Sequence, residues 1–341
     1  MTKDRIVFFA NGDFAIETFE TLVENGFNIV GLVTSTNDKV KYHAHTIRQS
    51  AERLSVPYYL AKGGNIDDDE FLMDWLKRAD ADIFCVISFK KLPESVTRLA
   101  RKCAFNVHAS LLPFLRGAAP INWAIRLGYK ETGLTAFVLS DKIDQGDIIA
   151  NTKVKISEGE KFTSLYRKLS YECIDFTGHV IGDVLQSPDW KSRLISQPSW
   201  NAENEYVQYA PKVDAKYFEC YWKCFSPKKL KNLVDSVDDS GLPCSITVQE
   251  NGVKEFKAKI YEVEVVKPDD GGEDVIHPFI NSDGKTYIRM FASCITDPGY
   301  VLIKRIQLAG KKVMDVKDFL NGFRYFRDSE SVVITYDKDY V

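Results

Sequence analysis

Short apolar runs alternate with amphipathic stretches of helical period through the N-terminal half of the chain. Residues 5–10 (RIVFFA) form one such run, closed by Asn11 and Gly12; over residues 14–25, Ala15, Phe19 and Leu22 share a helical face that Asp13 is placed to cap. Residues 28–34 (NIVGLVT) give a second buried strand, and strand, helix and strand then make a right-handed parallel unit. A weaker helix is predicted near residues 46–54 and a short strand at 57–60. Residues 67–79 (DDDEFLMDWLKRA) carry acids in the first turn and Lys77 and Arg78 in the last, matching the helix dipole. Apolar strands follow at 83–88, 104–108, 132–139 and 147–154, and residues 164–185 space Leu165, Leu169, Ile174 and Val180 or Ile181 as a buried helical stripe. These elements predict an α/β fold, a Rossmann-like, doubly wound and mostly parallel sheet over residues 1–190.

Beyond it the pattern changes. Residues 191–212 have little periodicity and include Pro198 and Pro211, which reads as an ordered linker. Ser226 and Pro227 open a helix that Leu230, Leu233, Val234 and Val237 continue. Residues 244–248, 256–266, 286–291 and 300–307 alternate as strands, and Asp315 is placed to cap a last helix at 316–323. Residues 213–327 therefore predict a small OB-like β-barrel C-terminal domain, an architecture that often binds nucleic acid. The acidic tail, residues 328–341, is expected to be disordered.

Composition narrows the functional classes. The chain has 341 residues, of which 45% are apolar and 27% charged, so two domains are the default. A net charge of -3 excludes a polycation that coats nucleic acid indiscriminately but allows a local basic face. Residues 301–327 supply one, because Lys304, Arg305, Lys311, Lys312, Lys317, Arg324 and Arg327 meet only Asp315 and Asp318. No segment reads as a signal peptide and none approaches the roughly 18 apolar residues of a membrane helix. The seven cysteines are scattered without a CxxC, as expected of reduced cytoplasmic thiols. Cys220 and Cys224 can share a helical face, but without a nearby histidine packing is favoured over zinc, and His43-x-His45 lacks a third ligand, so no metal is expected.

In a doubly wound sheet, ligands bind outside the carboxyl ends of the strands. Gly12, residues 88–92 and the Asn106–His108 stretch all fall at such ends, so three loops converge on one cleft. The first turn lacks the glycines of a dinucleotide fingerprint. Asn106 and His108, two apart on a strand, project from one face, where Asn106 can donate to an oxyanion while His108 moves a proton. Asp144, on the Asp-Gln-Gly-Asp turn, is placed to orient His108; Asp147 is the alternative carboxylate, or both build the turn.

The Asn106-Val-His108 stretch, Ser110-Leu-Leu-Pro113, Arg116-Gly117, Pro120 and the Asp144-x-Gly146-Asp147 turn together resemble the 10-formyltetrahydrofolate-dependent formyltransferases, most closely the methionyl-tRNA formyltransferase family. Residues 10–15, 209–212, 306–312 and 318–322 extend the resemblance over nearly the whole chain, with Asn11-Gly12 departing from the family's first turn. The resemblance implies a catalytic set of Asn106, His108 and Asp144 and a 10-formyltetrahydrofolate co-substrate lying against Phe89, Lys90, Lys91, Leu92, Leu139, Ser110, Leu111, Leu112 and Pro113. It also implies a monomer whose acceptor meets Gly12, Asp13, Phe14, Arg116, Lys41 and Arg48, and Lys311 and Lys312 on the barrel. The implied acceptor and partner is methionyl initiator tRNA. The loop at residues 34–46, however, is shorter than that family's basic insertion and lacks its Pro-Ala-Gly-Arg-Gly pattern, as in relatives that formylate a nucleotide-linked amino sugar. Both acceptors stay open at this point.

Overall fold

A computed structural model describes residues 4–36, 41–62, 66–198, 209–214, 217, 226–249, 253–267, 280–291, 299–327 and 332–336. Contacts divide the chain into one unit made of Met1–Pro120, Glu131–Lys155 and Tyr166–Ala210, and a second made of Ile121–Lys130, Ile156–Leu165 and Pro211–Val341.

In the first unit β1 (Ile6–Ala10) is flanked in parallel by β2 (Ile29–Ser35) and β4 (Ile83–Ile87). Both β1 and β4 are buried along their whole length, as expected of strands covered on two faces. Two more parallel strands, β3 (Tyr58–Ala61) and β5 (Cys103–His108), extend the sheet outward. Then β6 (Glu131–Val138) and β7 (Ile148–Lys155) join as antiparallel neighbours, giving the order β3-β2-β1-β4-β5-β6-β7. This is the Rossmann-like, mostly parallel sheet that the hydrophobic pattern predicts. The helices among its described residues are α1 (Ile16–Glu24), α2 (Ile47–Arg53), α3 (Glu70–Ala79), α4 (Glu94–Thr97), the start of α5 (Pro120–Arg126) and most of α6 (Phe162–Gln186).

Asp13 departs from its expected role as a helix cap. Asp13–Ala15 form a 3-10 turn, α1 starts only at Ile16, and no side-chain cap bond is made there. The Asp13 carboxylate is buried and accepts instead from the backbone N–H groups of Lys41, Tyr42 and His43 at 2.7, 3.2 and 3.3 Å. Amides from a loop distant in sequence outcompete those of the adjacent helix.

At the opposite, amino end of the strands, Asp82 ties together the starts of β1, β4 and β5. Its carboxylate accepts from the Arg5 backbone N–H at 2.8 Å and from Arg101 Nε and Nη2 at 3.2 and 3.0 Å. Burial opposes its ionisation, but the Arg5 N–H and the Arg101 guanidinium prevail and hold its carboxyl below the usual carboxylate range. A depressed folded-state value means stability that is present above the unfolded value of about 3.9 and is lost as pH falls through the folded one. Asp82→Asn is therefore expected to cost about 1–3 kcal/mol at pH 7 and to weaken the acid dependence of stability. Denaturant titrations of both proteins at pH 7 and pH 3 test this; equal stabilities at pH 7 would refute it.

The second unit is an antiparallel sheet of β8 (Leu242–Gln249), β9 (Val253–Val266), β10 (Ile280–Ser282), β11 (Ile288–Phe291), β12 (Tyr300–Leu308), β13 (Met314–Asp315) and β14 (Val332–Tyr336). Its order is β10-β11-β12-β9-β8-β14, with β13 on β12. The register of β12 on β9 shifts on both sides of Arg305, and such irregularities bend a sheet, here into an OB-like half-barrel. Helices α7 (Pro227–Asp235) and α8 (Val316–Gly322) contribute Leu230, Leu233, Val234, Phe319 and Leu320 to a core shared with Ile246, Ile260 and Ile303. Ser226 caps α7 as expected, accepting from the Lys229 N–H at 3.3 Å, whereas Asp315 stands at the cap position of α8 without a side-chain bond.

The expected disordered tail is corrected over Val332–Tyr336. These residues form β14, paired with β8, with Val332 and Ile334 buried and Val333 exposed. The acids around this short alternating run hide it in a compositional reading. Cys220 and Cys224 lie outside the described residues. The stretch from Ile121 to Lys130 belongs to this unit, where the Trp123 ring meets Tyr217 edge-on at 5.0 Å and the Arg126 guanidinium lies 4.7 and 4.6 Å from the two ring centres.

Candidate active site

The strand β5 delivers Asn106 and His108 to its carboxyl end, paired with Phe137 and Thr135 of β6. The following loop folds back on this end. Thr135, fully buried, donates its hydroxyl to the Ser110 carbonyl at 2.7 Å and accepts the Leu112 N–H at 3.0 Å, while the Ser110 hydroxyl donates to the Phe114 carbonyl at 2.6 Å. The loop carbonyl of Leu115 is thereby placed 2.9 Å from His108 Nε2. A carbonyl only accepts, so the neutral imidazole carries its proton on Nε2 and leaves a lone pair on Nδ1. Nδ1 faces Asp144 Oδ2 at 4.0 Å, with both side chains largely buried. The separation is longer than a hydrogen bond. Leu115, rather than Asp144, thus sets the resting tautomer. Asn106 is half-buried, and its side-chain amide makes no hydrogen bond among the described residues.

Asp144 sits on the turn between β6 and β7 in the left-handed region, with φ 54°. Its Oδ2 accepts the Gly117 N–H at 2.8 Å. Gly117, with φ 119°, passes so close to the Tyr209–Ala210 segment that a Cβ there would lie 2.5 Å from the Ala210 carbonyl oxygen. Gln197 accepts from Arg116 Nε and Nη2 at 3.1 and 2.6 Å and donates to the carbonyls of Asp144 and Gly146 at 3.1 and 2.7 Å. Arg116 itself is buried, also donates to the Pro198 carbonyl at 3.3 Å, and leaves Nη1 without a partner among the described residues. Burial lowers its pKa, and the nearby Asp144 charge opposes that shift.

The segments expected to hold the co-substrate also converge. Phe89, Leu92 and Leu139 join one apolar cluster, the Phe89 ring lies edge-on to Phe9 at 5.7 Å, and Lys91 Nζ donates to the Asp141 carbonyl at 2.5 Å. Lys90 is exposed, and Leu111 and Pro113 are half-buried. Leu112 packs with Phe137 and Ile148, and Leu139 lies against that cluster too. Of the residues expected to meet the acceptor, Gly12 heads the 3-10 turn and the Phe14 ring packs on Tyr166 at 5.3 Å. Lys41 is exposed beside Tyr42, and Arg48 is exposed with Glu52 at 3.6 Å. Lys311 and Lys312 are exposed in the second unit and make no ion pair among the described residues, whereas Lys304 pairs with Glu264 at 2.6 Å.

Residues 4–173 match the family model described as formyl transferase. Along 330 residues the chain is 34% identical to a methionyl-tRNA formyltransferase of Azobacteroides pseudotrichonymphae genomovar. CFP2, covering 95% of this chain and 97% of that protein. The chain belongs to the methionyl-tRNA formyltransferase family. Another member, from Parabacteroides distasonis, is 33% identical over 326 residues, covering 94% of this chain and 96% of its own length. Among solved structures, that of WlaRD, a sugar 3N-formyl transferase studied in the presence of dTDP and 5-N-formyl-THF, aligns with a TM-score of 0.62 at 15% identity, covering 92% of this chain and all of the other. At that identity the likeness concerns the fold alone.

Within this family the protein is a formyl-transferring enzyme. Two participants in its candidate site escape a reading by motif. The Leu115 carbonyl is a backbone group that any residue would supply. Gln197 lies in an aperiodic stretch, and its partners are 81 and 51 to 53 residues away, so no local signal marks it.

Proposed function

We propose that the protein transfers the formyl group of 10-formyltetrahydrofolate to the amino group of methionyl initiator tRNA, in the cytoplasm. The observation that carries this reading is the 34% identity to a methionyl-tRNA formyltransferase across 95% of the chain, the second unit included. The exposed Lys311 and Lys312 suit RNA phosphates.

The chemistry follows from the arrangement around His108. The acceptor amine attacks the formyl carbon, a C–N bond forms, and the carbonyl electron pair moves to oxygen. Asn106, whose amide has no competing partner among the described residues, donates to that oxyanion. The proton of the attacking nitrogen passes to His108 Nδ1, the ring nitrogen left open by the bond from Nε2 to Leu115. The imidazolium so formed faces the Asp144 carboxylate. Collapse of the oxyanion breaks the bond to the folate nitrogen, His108 returns its proton there, and tetrahydrofolate leaves. The apolar Phe89, Leu92 and Leu139 are suited to hold the pterin portion of the co-substrate.

The deciding experiment offers 10-formyltetrahydrofolate with either charged initiator tRNA or a dTDP-linked amino sugar and follows release of tetrahydrofolate. Turnover is expected with the tRNA. Product from the sugar alone would overturn the assignment of the acceptor.

A further inference from the structure

We infer that Gln197 is a positioning residue for formyl transfer, acting by holding the turn that carries Asp144. The inference rests on the role of Asp144 proposed above. The chemistry of its partners fixes which way its amide points. A guanidinium only donates, so Oε1 faces Arg116; the carbonyls of Asp144 and Gly146 only accept, so Nε2 faces them. Both donor protons and the acceptor oxygen of the side chain are therefore engaged.

The turn needs such a hold. Asp144 is left-handed, a conformation that side chains other than glycine rarely adopt, and its carboxylate is tied by the Gly117 N–H. Gly117 adjoins Arg116, the residue on the other side of Gln197. A closed ring results: Arg116 to Gln197, Gln197 to the 144–146 backbone, the Asp144 carboxylate to Gly117, and Gly117 back to Arg116 through the chain. Cutting the ring at Gln197 leaves two carbonyls and two guanidinium N–H groups without these partners. The turn is then free to rotate the carboxylate away from His108 while the strands and the co-substrate segments stay in place.

Steady-state kinetics with 10-formyltetrahydrofolate and methionyl initiator tRNA tests this, with kcat normalised to folded enzyme by the single-turnover amplitude. Gln197→Met is expected to lower kcat about 10–100-fold with both KM values within about threefold, as for a misplaced catalytic group. Gln197→Glu keeps the acceptor for Arg116 but loses the donor to the turn, and is expected to lose kcat similarly. In an Asp144→Asn background, Gln197→Met should cause no further loss, because it acts through the group already removed. The inference is overturned if Gln197→Met and Gln197→Glu keep kcat within about twofold, if the loss appears only in KM, or if it recurs in full in the Asp144→Asn background. An unchanged kcat in Asp144→Asn alone would instead remove the catalytic reading of Asp144, a result separable from an Asp144-dependent enzyme indifferent to Gln197.

Discussion

Asp144→Asn is expected to lower kcat for formyl transfer by about 10²–10⁴-fold with little change in KM, because the lost interaction is with a charge that exists only during the reaction. Asparagine is the informative substitution. It accepts the left-handed φ of 54° at this position more readily than most residues, so the turn is preserved. Its amide oxygen can take over the Gly117 N–H that Oδ2 now accepts at 2.8 Å. The oxygen in that position is also the atom that faces His108 Nδ1, at 4.0 Å, so the amide NH₂ takes the place of Oδ1. The geometry is thus kept, but the neutral amide offers no negative charge to the imidazolium. Single-turnover rates with saturating 10-formyltetrahydrofolate measure the effect directly. A variant that folds, binds and turns over at the wild-type rate would remove Asp144 from the mechanism.

Gly146→Ala is expected to damage both stability and turnover. A Cβ at Gly146 would lie 1.7 Å from the Val138 carbonyl oxygen and 2.9 Å from its carbon, both backbone atoms of β6. No side-chain rotation relieves such a clash. Either the β6–β7 connection opens or the turn shifts, and the Val138 N–H to Asp147 carbonyl bond of 2.9 Å and the Gly146 carbonyl bond to Gln197 of 2.7 Å are strained with it. Overpacking of this kind costs about 3 kcal/mol, equivalent to a fall of about 6–12 °C in Tm for a unit of this size. Because the same turn carries Asp144, kcat should fall by at least about tenfold in the fraction that remains folded. Calorimetry and kinetics on the purified variant check both parts. A Tm and kcat matching those of the parent would mean that the turn is looser than its close approach to β6 implies.

Much of this was legible in the chain itself. Burial along β1 and β4, the alternation of strand and helix, and the shared face of Asn106 and His108 follow from side-chain periods set by local backbone geometry. The turn carrying Asp144 was legible because its Asp-Gln-Gly-Asp residues favour a turn between two apolar runs. Ser226 at the head of α7 is equally local, since a cap bonds an amide only three residues on.

What tertiary structure alone decided is the set of partners. Asp13 has the sequence position of a helix cap, but amides of residues 41–43 reach its carboxylate first. The tautomer of His108 is set by a backbone carbonyl brought near by the Ser110 and Thr135 bonds, and no residue identity announces it. The short run at Val332–Tyr336 becomes a strand because β8 offers an edge to pair with. The stretch at residues 105–147 thus declared a strand and a turn by itself. The holding of Asp144 between Gly117 and Gln197 needed the folded chain, because hydrogen bonds form between groups that are close in space and sequence patterns record only groups close along the chain.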